Sequence, residues 1–91
     1  MIRLSVEVEN RLGLHARAAA KLVRTASRFS SDIHISRVGA EQRIDSKSIL
    51  GILMLAASQG TSLAFCIEGR DESEAAEAIR TLFRSKFGER E

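Results

Sequence analysis

At 91 residues and 10.0 kDa the chain fits one compact domain, residues 1–91, which excludes a two-domain enzyme with a substrate cleft between lobes. Hydrophobic residues at 44% and charged residues at 29% describe an ordinary folded domain and not a disordered segment. The net charge of +2 is too small for a protein held mainly by many phosphate contacts to nucleic acid, so any basic patch must be local.

The opening residues lack a basic segment followed by an apolar run, so they do not read as a signal peptide. Ile2, Leu4, Val6 and Val8 alternate with Arg3, Ser5, Glu7 and Glu9, the period of a strand with one face on a core and one in water. From residue 16 the period lengthens. Ala19, Leu22, Val23, Ala26 and Phe29 recur three or four apart and predict a helix over 16–28. Ile33 and Ile35 resume alternation, and Gly39 permits a turn into a short strand at about 41–44, a hairpin.

Ser48 can cap a second helix with Ile52 and Leu55 pointing inward, ending near Ser58-Gln59-Gly60, where Gly60 suits a left-handed cap. Its apolar run, Ile49 to Ala57, is about nine residues, roughly half of a membrane span, so no membrane insertion is expected. Ser62 to Glu68 alternates again, with Leu63, Phe65 and Ile67 on one face. Asp71 with Glu74 resembles a capping box opening a third helix to about Lys86, with Ala75, Ile79, Leu82 and Phe83 buried. The order βαββαβα with alternating strands predicts an α+β, open-faced β-sandwich: a four-stranded antiparallel sheet with three helices on one face.

Chemistry concentrates at residues 12–20. His15 falls at the start of the first helix, where Ser, Thr, Asp or Asn would ordinarily hold the first amides, so those amides are expected to be unpaired. Free amides at the positive end of a helix form an anion site, and Arg17 can add bidentate donors. A phosphoryl group on the imidazole, formed by nucleophilic attack of neutral His15, fits that arrangement. On spacing alone, a solvated loop histidine and an ordinary exposed arginine remain the leading reading.

Other candidates have plainer readings beside the sharper ones. Ser48 is an N-cap, with Asp45 and Ser46 as neighbours that could share the role. Ile49, Leu50 and Leu53 either belong to the core or form an exposed docking patch. Arg17, Lys21, Arg24 and Arg28 form a basic stripe about one helical turn apart, which is either a solvated face or half of a surface for acidic partners. His34 and the single Cys66 read as strand residues; no disulfide, metal site or cofactor is called for, and a lone thiol suits a reducing cytoplasm.

Gly13-Leu14-His15-Ala16-Arg17 after a first strand, together with Lys47-Ser48-Ile49-Leu50-Gly51-Ile52-Leu53, Gln59-Gly60-Thr61 and Glu68-Gly69, resembles the histidine-containing phosphocarrier protein (HPr) family of the phosphoenolpyruvate-dependent phosphotransferase system. The likeness spans essentially the whole chain. It implies that His15 accepts a phosphoryl group on Nδ1 from enzyme I and passes it to an EIIA component, with Arg17 on the phosphoryl oxygens and the amides of Ala16 and Arg17 as backbone donors. The chain would then be a covalent transfer intermediate and not a stand-alone enzyme. It also implies that Ser48 aligns with the serine modified by an HPr kinase/phosphorylase in many members. Ala20, Arg24, Ile49, Leu50 and Leu53 would meet partners, and the protein would act as a cytoplasmic monomer. The family usually has Pro where Ala18 stands, and a looser active loop is expected from the change. The Leu82–Gly88 ending and the alanine run after Arg17 look closer to nitrogen-branch carriers than to sugar carriers. Two other classes stay open: a non-catalytic regulatory HPr-like binding protein of the same fold, controlled through Ser48, and a small nucleic-acid-binding domain using the basic stripe, against which stands the absence of Trp and Tyr.

Overall fold

The computed structural model describes all residues from Met1 to Glu91. Its strands are β1 (Ile2–Glu7), β2 (Asp32–Arg37), β3 (Ile44–Asp45) and β4 (Ser62–Glu68), and its helices are α1 (Ala16–Ser27), α2 (Ile49–Met54) and α3 (Glu72–Arg84), followed by a 3₁₀ turn at Lys86–Gly88. All pairings are antiparallel, in the order β1-β4-β2-β3. Leu4 opposite Phe65 and Ile35 opposite Phe65 place the alternating apolar residues on one face, where they join Ala19, Leu22 and Ala26 of α1, Ile52 of α2 and Ala75, Ile79 and Phe83 of α3 in one core. Arg3, Cys66 and His34 lie side by side on the opposite, wet face. No helix is long and apolar enough to cross a membrane.

Four sequence expectations shift. The third strand is Ile44–Asp45 and not 41–44, because Glu41, Gln42 and Arg43 are exposed and only Ile44 has an apolar side chain to set opposite Ile35. Helix α2 stops at Met54, well before Gly60. Ala56 turns left-handed (φ 49°), and Arg37 Nη2 donates to the carbonyls of Leu55 (2.7 Å) and Ala56 (3.1 Å), satisfying acceptors that further helix would have used. Gly60 (φ 90°) instead serves the turn into β4. Helix α3 ends at Arg84, and the chain reverses through Lys86 and Phe87, both left-handed.

The Asp71–Glu74 capping box does not form either. Asp71 has φ −108° and ψ 30°, away from the extended conformation a capping box needs, and its carboxylate reaches across to the chain after α1. It accepts from Ser31 Oγ (2.5 Å), Ser30 N (2.9 Å) and Ser31 N (3.0 Å), and the Gly69 amide donates to Glu72 instead. The Ser31 hydroxyl, then the Ser30 amide, lower the Asp71 pKa from the ordinary 3.8 to about 2. A carboxyl lowered on folding stabilises the fold above pH 3.8 and loses that contribution as pH falls toward 2. Denaturant melts of Asp71→Asn and the parent chain are therefore expected to differ at pH 7 and to converge near pH 2; a gap independent of pH would contradict the assignment.

Candidate active site

His15 is the N-cap of α1 with an extended backbone (φ −71°, ψ 177°). The expectation of an uncapped helix start is corrected here: the imidazole itself caps, with Nδ1 accepting from the Arg17 amide at 3.3 Å. This contact and the carboxylate on the far side of the ring together favour one tautomer. Nδ1 receives a hydrogen and so carries none, which leaves the ring hydrogen on Nε2, facing the Glu89 carboxylate in a hydrogen bond. The nucleophilic lone pair of Nδ1 thus points at the positive end of the helix.

The amides of Ala16 and Ala18 have no partner within the chain, so that end retains donors beyond the one engaged by Nδ1. Ala18, buried in the core, keeps an amide hydrogen that a proline would lack. The exposed Arg17 guanidinium makes no hydrogen bond or ion pair in the chain and is free for an anion. A cleft of about 740 Å³ opens over this point, with His15, Arg17 and Glu89 among its lining residues.

Glu89 and Asn10 are the parts that sequence reading missed. Fully buried Asn10 donates through Nδ2 to the Gly13 carbonyl (2.8 Å) and to Glu89 Oε1 (2.9 Å), while Glu89 Oε2 faces His15. Burial tends to raise the Glu89 pKa, but hydrogen bonds from His15 and Asn10, and the charge of Lys21, hold it below the usual carboxylate range. The C-terminal segment that brings Glu89 here is fastened at several points. Phe87 is buried edge-on against Phe83 at 4.9 Å, Lys21 Nζ donates to the Phe87 carbonyl at 2.5 Å, and Arg11 holds Glu91 at 2.6 Å. Sequence separations of 74 and 79 residues left no local pattern to reveal these contacts.

The remaining candidates divide cleanly. Ile49, Leu50 and Leu53 are exposed, so the patch stands in place of a wholly buried α2. Arg24 and Arg28 are exposed and Ala20 is half-buried, but Lys21 drops out of the free basic stripe because its ammonium is committed to Phe87. Ser48 is exposed and caps α2 by accepting from the Gly51 amide at 3.2 Å, whereas Ser46 is fully buried.

Residues 2–85 match the family model described as "PTS HPr component phosphorylation site". The chain belongs to the HPr family. It is 47% identical over 89 residues to the phosphocarrier protein HPr of Xylella fastidiosa (strain Temecula1 / ATCC 700964), covering 98% of each chain, and 43% identical over 91 residues to that of Neisseria meningitidis serogroup B, covering 100% of each. The crystal structure of HPr-C-His from Thermoanaerobacter tengcongensis superposes with a TM-score of 0.94 at 44% identity, covering both chains completely. An HPr dimer from the same organism matches at 0.76 and 45% identity, over 98% of this chain and 100% of that one. As an HPr protein, the chain is a phosphocarrier of the phosphotransferase system, and its partners are components of that system.

Proposed function

We propose that the phosphoryl group is carried on Nδ1 of His15, taken from enzyme I and delivered to an EIIA component. The observation that carries this reading is the Nδ1 lone pair aimed at the helix start beside the unengaged Arg17 guanidinium. As the P–N bond forms, the Arg17 amide exchanges the ring nitrogen for a phosphoryl oxygen, and the Ala16 and Ala18 amides and the guanidinium share the remaining charge. Transfer between two nitrogens requires little acid-base chemistry, so positioning and charge stabilisation carry the catalysis. The site is assembled within one copy of the chain, which supports action as a monomer. A cytoplasmic setting agrees with the single reduced Cys66.

Exposed Ile49, Leu50 and Leu53, with Ala20 and Arg24 on the adjoining helix, form the docking surface in this reading, the cations steering encounter and the apolar side chains slowing release. Incubation with phosphoenolpyruvate and the cognate enzyme I is expected to add one phosphoryl group to the intact mass, removed by mild acid. No adduct with a demonstrably active enzyme I would overturn the reading.

Ser48 adds a regulatory reading, because its exposed hydroxyl adjoins the apolar patch while Ser46 is enclosed. A kinase of the HPr kinase/phosphorylase type would place a dianion there. Ser48→Asp is expected to keep the fold, since an acidic side chain also caps a helix, and to raise the KM for enzyme I several-fold at low salt, less so as salt is added. An unchanged KM at low salt would remove Ser48 from the partner surface.

A further inference from the structure

We propose that Glu89, oriented by Asn10, is a positioning residue that accepts the Nε2 hydrogen of His15 and balances the charge that the ring acquires when Nδ1 takes the phosphoryl group. The inference rests on His15 being the acceptor and adds a role that the helix start cannot supply. Amides and Arg17 address the phosphoryl oxygens, but nothing among them faces the far side of the ring. Glu89 does.

The bonding permits only one direction for each hydrogen. A carbonyl and a carboxylate both accept, so Asn10 must present its NH₂ to Gly13 and Glu89, and both its hydrogens are used. Glu89 then has one oxygen on Asn10 and one on His15, and cannot swing away without leaving the buried amide unpaired. The Gly13 carbonyl at the other end of this relay belongs to the loop that carries His15. Ring, carboxylate and amide are therefore held as a unit.

In the transfer step the Nδ1 lone pair forms a bond to phosphorus while the bond from phosphorus to the donor's phosphohistidine nitrogen breaks. That bond pair returns to the donor ring, whose other nitrogen carries a hydrogen, so the donor leaves as neutral imidazole. The His15 ring keeps its Nε2 hydrogen and becomes cationic. A carboxylate already hydrogen-bonded to that nitrogen stabilises the cationic ring more than the neutral one, so its effect falls on the reacting step and not on partner binding.

The test uses the full chain with phosphoenolpyruvate-charged enzyme I under rapid quench. Glu89→Gln keeps the shape but removes the charge, and its single oxygen can serve only one of the two donors that face Glu89, on Asn10 and His15; Glu89→Ala removes both contacts. The expected result is about a 10- to 100-fold slower transfer at saturating donor for Glu89→Gln, with KM within about twofold of the parent. Nitrogen-15 shifts of neutral His15 are expected to show the single Nε2–H form in the parent chain and a mixture of tautomers in Glu89→Ala. Transfer within twofold of the parent in both variants, or a change confined to KM, would overturn the proposal. An adduct that is unaffected by the Glu89 variants yet lost in His15→Ala removes the positioning role alone. An adduct that persists in His15→Ala removes the acceptor reading itself.

Discussion

His15→Ala is expected to yield no acid-labile adduct at all while leaving the fold in place. The imidazole supplies the nitrogen nucleophile of the cleft beside the start of α1, and the surrounding amides and Arg17 can hold a phosphoryl group but not bond to it. The stability cost is small by comparison. His15 is half-buried, its one backbone contact is a 3.3 Å cap, and loss of an N-cap typically costs about 1 kcal/mol. Thermal unfolding should therefore show a modest decrease beside a complete loss of phosphorylation by intact mass. A variant that still acquires one acid-labile phosphoryl group would place the acceptor elsewhere.

Gly13→Ala is expected to be the more damaging change to the scaffold of the site. Gly13 has φ 69°, and a Cβ there would stand 2.6 Å from the Ala57 carbonyl oxygen and 2.9 Å from Ser58 Cα, both backbone atoms with little freedom to yield. The left-handed backbone disfavours any L side chain by roughly 1–2 kcal/mol, and forced displacement of close-packed neighbours adds roughly 1–3 kcal/mol. The adjacent Leu14 amide donates to the same Ala57 carbonyl at 2.9 Å, and Asn10 donates to the Gly13 carbonyl, so relief of the clash moves the loop that carries His15. A loss of roughly 2–5 kcal/mol in denaturant melts is expected, with slower transfer in the fraction that remains folded. Full stability in Gly13→Ala would contradict the close approach of residues 13 and 57.

Much of this was legible because the chain's periods are clean. Ser62–Glu68 places Leu63, Phe65 and Ile67 on one face with no competing signal, and β4 begins and ends where alternation does. The placement of His15 and Arg17 was legible for a local reason as well, since two residues beside a helix start lie close together whatever the rest of the chain does. Asp71 shows where local reading fails: a short acidic side chain before a helix is a good cap in isolation, yet three donors on Ser30 and Ser31 outcompeted the helix's own amides. Lys21 failed the same way, drawn from the basic stripe by one carbonyl of the C-terminal turn. Glu89 is the extreme case, since its role depends on a reversal at Lys86 and Phe87 that no propensity favours and that the burial of Phe87 enforces.

The most direct measurement is a long-range proton–nitrogen correlation spectrum of the nitrogen-15-histidine-labelled protein, before and after charging with phosphoenolpyruvate and enzyme I. The predicted result is a His15 ring with its hydrogen on Nε2 at rest and the phosphoryl group on Nδ1 after charging, with His34 unchanged. A phosphoryl group on Nε2, or an adduct that leaves both histidine rings unchanged, would contradict it.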